Sequence, residues 1–298
     1  MDRKDGVLSA IAAFILWGVL PIFWKAMVFL PPASIIAHRT IWSLVALLPV
    51  LAYQRQVGTV IRGISSWRGV GWHLLSGCLL ASNWLLYVWA TLNDRILEGA
   101  LGYYLNPFLN MLFGALFFGE RQTRLQMIAV AVAAVGVGFQ FEAVQGVPWV
   151  ALVLATTFAL YAVVRKKAPL AALPGLAAET ALLAPVALLW LIWQGSQGAA
   201  LFGGSTGTVL LVLSTGIATA TPLLCFGHAA RTISLTTLGI LQFIGPTLQF
   251  LIGWQLYGEP MNPMRMLSFG LIWAAVAIYA GEAIYRSKKK AAPDGAAS

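Results

Sequence analysis

Seven polar residues interrupt long apolar runs in this chain: Asn83, Tyr87, Tyr103, Asn106, Asn110, Gln242 and Gln249. Their spacing is helical. Tyr103, Asn106 and Asn110 fall at i, i+3 and i+7, Gln242 and Gln249 at i and i+7, and Asn83, Tyr87 and Thr91 at steps of four, so each set lies along one helix face. Amides and phenols placed this way serve one of two chemistries. They hydrogen-bond an amphiphilic organic solute of amino-acid size inside an aromatic-walled cavity, or they bond one helix to the next. Pro107 and Pro246 lie within two of these runs. Each lacks an N–H and displaces the carbonyl four residues earlier, at Tyr103 and Gln242. In hydrocarbon a freed carbonyl needs a partner or a cavity to line. Kinks and polar stripes coincide here, which favours the solute site and casts both prolines as hinges. Trp17 and Trp84 lie near the centres of their runs, clear of the interfacial belts where most membrane tryptophans sit, and Trp17 joins the expected site.

A second group is ionisable. His38 and Arg39 open an otherwise apolar run, and Glu98 falls at a similar depth in a later one. Pairing Arg39 with Glu98 lowers the cost of an intramembrane charge. Two readings follow: an outer gate, or proton coupling through Glu98 or His38, against a static ion pair that joins two helices.

These residues need elements to hold them. The chain has 298 residues, is 59% hydrophobic and only 10% charged, and has a mean hydropathy of +0.81. Segments of about 20 apolar residues cross a ~30 Å hydrocarbon core, and runs of this kind fall at 7–29, 35–53, 70–91, 96–118, 124–141, 147–164, 175–194, 207–230, 236–257 and 264–284. The expectation is an all-α membrane protein with ten transmembrane helices. The N-terminal stretch MDRKDGVLSAIAAF begins like a signal peptide, but no small-residue cleavage site follows, so it reads as a retained first helix. With the N-terminus cytoplasmic, fifteen of the nineteen Lys and Arg fall on the inner side; Lys25, Arg95 and Arg265 lie outside and Arg39 within a span. This asymmetry predicts that both termini are cytoplasmic. It also explains the net charge of +9 without a nucleic-acid partner. Cys78 and Cys225 each sit in an apolar run and imply no disulfide framework.

The chain matches itself at an offset of 139. YYLNPFLNMLFGALFFGE (103–120) overlies QFIGPTLQFLIGWQLYGE (242–259) without a gap, pairing Pro107 with Pro246, Gly114 with Gly253 and Gly119-Glu120 with Gly258-Glu259. Asn83 overlies Pro222 and Tyr87 overlies Phe226; Tyr161, which falls outside this register, is a weak counterpart of Trp17. The unit therefore holds five helices, and an odd number inserts the second copy upside down. Two inverted five-helix repeats are expected over 1–141 and 147–286, with a basic and then flexible tail over 287–298. Such repeats are the architecture of secondary transporters.

Rival classes fare worse. The three histidines lie at different depths with no HExxH pair, so neither metal nor acid–base catalysis has support, and no cofactor is expected. No G-x-x-x-x-G-K-[ST] loop is present for an ATP-driven pump. A channel wants repeated charges or carbonyls along a pore; two stripes beside kinks fit alternating access better. The expected partners are the bilayer, a small solute and, under the coupling reading, protons.

The motifs AHRTIWS, SNWLLYVWA, LEGALGYYLNPFLN, FFGER, TPLLCF and LGILQFIGPT resemble those of the drug/metabolite transporter superfamily, in its EamA-repeat branch and most closely its RarD-type members. They occur in both halves and in family order. The resemblance implies a ten-helix inverted-repeat carrier of the bacterial inner membrane, usually an exporter, with relatives that handle amino acids, aromatic ones included. RarD-type proteins carry the label of chloramphenicol sensitivity, which says little about a native substrate, and no catalytic set transfers from them.

Overall fold

The computed structural model describes residues 3–233 and 235–291, and among these there is no strand. The helices are α1 (Arg3–Lys25), α2 (Pro32–Tyr53), a short α3 (Val57–Gly63), α4 (Trp67–Leu92), α5 (Ile96–Phe118), α6 (Arg124–Ala143), α7 (Trp149–Lys167), α8 (Ala172–Ser196), α9 (Thr206–Leu213), α10 (Thr215–Thr232), α11 (Leu235–Leu241), α12 (Ile244–Leu251) and α13 (Pro263–Ala291), with a π-helical turn at Ile252–Leu256. Among the described residues, nine stretches are long and apolar enough to cross a membrane, α9 and most of α10 counting as one. Of the expected C-terminal tail, residues up to Ala291 continue α13, and 292–298 lie outside the described residues.

Local chemistry sets the helix starts, and it recurs along the chain. Ser66 Oγ accepts from Gly69 N at 3.1 Å to cap α4, and Ser205 Oγ accepts from Thr208 N at 3.2 Å to cap α9. Thr123 and Gln126 form a reciprocal capping box on α6, while Asn262 Oδ1 accepts from Arg265 N at 2.8 Å before α13. Helix ends recur as well. Gly119 and Gly258 share φ +65°, a left-handed conformation open to glycine without strain. Beyond them Glu120 N donates to Gly114 O at 3.2 Å and Glu259 N to Gly253 O at 2.9 Å. Each pair of these features is 139 residues apart.

One expected helix is not continuous. Residues 236–257 form α11, a turn at Gln242–Phe243, α12 and the π-turn. Pro246 accounts for the first break: it cannot donate to Gln242 O and its ring displaces that carbonyl. The chain turns at that point, and Thr247 bonds Phe243 O through both N (3.1 Å) and Oγ1 (2.7 Å). α5, with Pro107 at the matching place, runs unbroken. The end of α10 and the broken segment together nevertheless follow α1 along its length. Thr232 and Ile233 press on Gly6, Leu248 and Gly245 O on Gly18, and Lys25 Nζ lies 5.1 Å from the Tyr257 ring.

The principal packing partners lie in opposite halves of the chain: α6 with α13, α5 with α7, α1 with α10, α2 with α8, and α4 with α7. One apolar cluster gathers Tyr104, Phe108, Phe243, Phe250 and Phe269. A second gathers Trp24, Met27, Tyr87 and Leu154, with Trp17, Trp84 and Tyr103 packed against it.

Candidate functional site

Most of the residues singled out in the sequence border that second cluster. Tyr87 of α4 is buried, its ring 5.3 Å from the half-buried Tyr103 of α5. Tyr103 in turn meets Phe158 of α7 at 6.4 Å, and Phe158 meets Tyr161 at 5.9 Å. From α1, half-buried Trp17 stands 5.7 Å from Phe226 of α10, and its carbonyl accepts from Gln249 Nε2 of α12 at 3.2 Å. These edge-on and tilted rings form an aromatic wall contributed by five helices. Several buried polar atoms beside it have no partner: Tyr87 Oη, Asn83 Oδ1, Asn106 Oδ1 and Gln249 Oε1. Unpartnered buried groups are costly in apolar surroundings, so these are the positions where a polar ligand gains most.

Not every residue joins this site. Asn83 gives its amide protons to α7, at Leu154 O (2.8 Å) and Thr157 Oγ1 (2.9 Å), so it fastens two helices. Asn110 is exposed, and Gln242 is half-buried in the turn between α11 and α12. Pro107 and Pro246 are buried within their segments.

The ionisable trio is arranged differently from the sequence expectation. Arg39 and Glu98 do not pair. Glu98 takes Arg95 one turn earlier at 2.7 Å, a partner three residues away on its own helix. His38 Nε2 donates to Leu201 O at 2.9 Å, with Phe202 4.9 Å from its ring. Arg39 has no carboxylate and stacks instead on Trp84, its guanidinium 3.6 Å from that ring centroid and 5.1 Å from that of Trp24.

Two acidic residues were not singled out by spacing. Glu259 accepts from Ile96 N and Leu97 N, capping α5 from the far half of the chain. Burial pushes its carboxyl above the ordinary range, and the two N–H groups pull it partly back. Glu179 of α8 is buried and accepts from Ser76 Oγ at 2.6 Å and Tyr161 Oη at 3.3 Å, with Arg165 Nη1 at 3.3 Å. The available signal was a lone acid inside LAAETALL. Buried His73, whose ring nitrogens have no partner, lies on α4 one turn before Ser76. Among the described residues no group of three or more His, Cys, Asp or Glu could hold a metal.

Known proteins resemble this chain over nearly its full length. Residues 4–141 match the EamA-like transporter family. Protein RarD of Escherichia coli (strain K12) is 38% identical over 293 residues, covering 97% of this chain and 99% of its own. The chain belongs to the EamA-like transporter family, among its RarD-type members. An uncharacterized transporter of Bacillus subtilis (strain 168), YojE, is 39% identical to this EamA-family chain over 93% of it and 94% of its own length. The chloramphenicol-sensitive protein RarD of Pseudomonas aeruginosa is 31% identical over 96% and 97%. A solved crystal structure at 21% identity shares the fold, with a TM-score of 0.59 over 95% of this chain and 98% of its own. This EamA-family protein is thus a multi-pass membrane transporter and not an enzyme.

Proposed function

We propose that this protein is a secondary carrier that exports a small amphiphilic solute, of the amino-acid class and including aromatic members, across the bacterial inner membrane by alternating access. The observation that carries this reading is the wall of Trp17, Trp84, Tyr103 and Phe158, bordered by unpartnered polar atoms of both kinds. A phenol O–H donor and amide oxygen acceptors beside edge-on and tilted rings suit a molecule with a charged head and an apolar body. Ten crossings as two inverted repeats, over 1–141 and 147–286, are supported by helix caps and ends that recur at 139 residues and by the course of 233–257 along α1. Both termini are assigned to the cytoplasm by the cation asymmetry.

The repeat suggests the mechanism. Glu259 locks one end of the bundle by capping α5. Its counterpart at the other end is Glu120, whose carboxylate bonds Lys166 at 2.6 Å. Offset by 139 residues, the N–H groups matching Ile96 and Leu97 belong to Leu235 and Thr236. Alternation exchanges the two latches: Glu259 releases α5 while Glu120 takes the start of α11, with α5 and the broken α11–α12 segment bending near Pro107 and Pro246. The carboxylate of Glu98 and the ring of His38 sit at the Glu259 end and form its gate, with Arg39 deeper.

Counterflow in proteoliposomes tests the reading. Purified protein preloaded with unlabelled phenylalanine or tryptophan should accumulate the labelled amino acid saturably. A pH gradient across the liposome tests protons as coupling ion in the same assay. Flux that is non-saturable and shows no exchange would favour a channel-like facilitator. Exchange only of chloramphenicol-type drugs or other metabolites would replace the amino-acid assignment.

A further inference from the structure

Arg39 lies seven residues into α2, about 10 Å along its axis. It is only 3% exposed, and its Nε–H has no acceptor. Any described carboxylate able to answer it is engaged elsewhere. Asp94 holds Lys25, Glu98 holds Arg95 through Oε1 while its buried Oε2 has no partner, Glu259 caps α5, and Glu179 binds Arg165 and Ser76. The phenols of Tyr87 and Tyr103 belong to the same cluster as Trp24 and Trp84 and offer Arg39 no anion. A guanidinium held this deep without an anion is costly, and its stacking on Trp84 and Trp24 offsets only part of that cost.

Building on the carrier reading, we propose that Arg39 docks the carboxylate of the transported solute. Stacking on the indoles fixes the plane of the guanidinium and leaves its Nε edge free. That edge presents two parallel N–H donors, the geometry that a planar carboxylate accepts in bidentate fashion. Tyr87, in the same cluster as the Trp24 and Trp84 rings that face Arg39 and with its hydroxyl unpartnered, supplies a third donor. One unpaired guanidinium balances one negative charge. Of the other cations at this end of the bundle, Lys25 and Arg95 already have carboxylates and Arg265, at the start of α13, donates to Pro260 O, so a phosphate dianion at Arg39 would keep an uncompensated charge. The solute is then a monocarboxylate whose apolar body lies against the aromatic wall, and loading it neutralises the buried cation. A monocarboxylate without an ammonium group, such as N-acetylphenylalanine, therefore lowers the net charge at this depth by one, whereas a zwitterionic amino acid pairs the guanidinium and leaves the net charge unchanged.

The test uses the purified full-length protein in detergent, titrated by intrinsic tryptophan fluorescence, since two indoles contact the guanidinium. The probes are phenylalanine, N-acetylphenylalanine, phenylalanine methyl ester, phenyl phosphate, leucine and leucine methyl ester. On the wild-type protein at least one acid should bind saturably, with its ester ten-fold weaker or more, and phenyl phosphate weaker than N-acetylphenylalanine. R39Q should remove the preference for acid over ester, and R39K should weaken acid binding without abolishing it. The wild-type comparison needs no variant, so a misfolded R39Q cannot hide the answer. Equal binding of acid and ester, or tighter binding of phenyl phosphate, overturns the carboxylate contact; counterflow of the same probes would then leave the carrier reading standing. Failure of every acid to bind overturns the contact, and failure of every probe to exchange overturns the amino-acid reading as well.

Discussion

Asn83 and Tyr87 stand one turn apart on α4 and do different work. Asn83 donates twice to α7, whereas the Tyr87 hydroxyl meets nothing. N83L should therefore lower stability by about 1–3 kcal/mol, since it strips two buried acceptors of a donor, and would appear as a lower midpoint of thermal unfolding. Y87F should leave the midpoint within experimental scatter and weaken solute binding instead. The reverse pattern would exchange their roles. Helical spacing presents both residues identically, so the sequence could not separate the fastening amide from the unpartnered phenol; only the register of α7 does that. The Arg39–Glu98 pair was misread for a related reason. Arg95, three residues before Glu98 at the cap of α5, takes its carboxylate before any residue of α2 can. Glu259 adds a pH dependence. Its carboxyl is raised by burial, so the folded chain holds that proton more tightly than the unfolded chain. The stabilisation is fully present below the ordinary carboxylate pKa and is lost as pH rises through the raised one. The difference in unfolding midpoint between wild type and E259Q should thus shrink or reverse as pH rises across that window, and a flat difference would contradict it.

At the scale of elements, two segments with matching sequences adopt different shapes. α5 carries Pro107 without interruption, while its counterpart divides before Pro246 and again at the π-turn after it. Such π-turns are rare and concentrate at functional positions. A single proline in each copy was legible, as were the glycine ends; which copy would break was not, because both present the same local chemistry. The difference comes from packing: Glu259 stabilises the start of α5, while the carboxylate of Glu120 bonds Lys166. P246A should restore a donor to Gln242 O, lengthen the helix and slow solute exchange several-fold with little change in binding, as should P107A. Lost binding at unchanged fold would remove the hinge role from either proline. G258A and G119A force a side chain into a left-handed conformation and should each cost about 1–2 kcal/mol. E259A should raise the reactivity of a cysteine placed at Tyr103 towards an impermeant maleimide added from the side bearing Lys25 and Arg95. Unchanged reactivity would deny the latch.

Across the whole molecule, the composition and the charge distribution already required an apolar helical bundle in a bilayer, and the 139-residue offset matched the Gly119 and Gly258 helix ends, though not the caps at Ser66 and Ser205 that the structure adds. How the halves meet was not legible, since pairing between distant helices depends on shapes that a hydropathy pattern does not encode. The structure answers by interlocking them. α6 leans chiefly on α13, joined by a Gln140–Ser268 hydrogen bond at 2.9 Å, and α5 on α7. This has a consequence for biogenesis. When residues up to about Ala143 have entered the membrane, Asn83 and Gln140 are already there, yet their partners Leu154, Thr157 and Ser268 have not been made. The early chain must wait in lipid, guarded by the translocation machinery or by neighbouring lipid headgroups, until its later half arrives. Nascent chains arrested before Pro263 should remain sensitive to a membrane-quality-control protease, and release of α13 should end that sensitivity in one step.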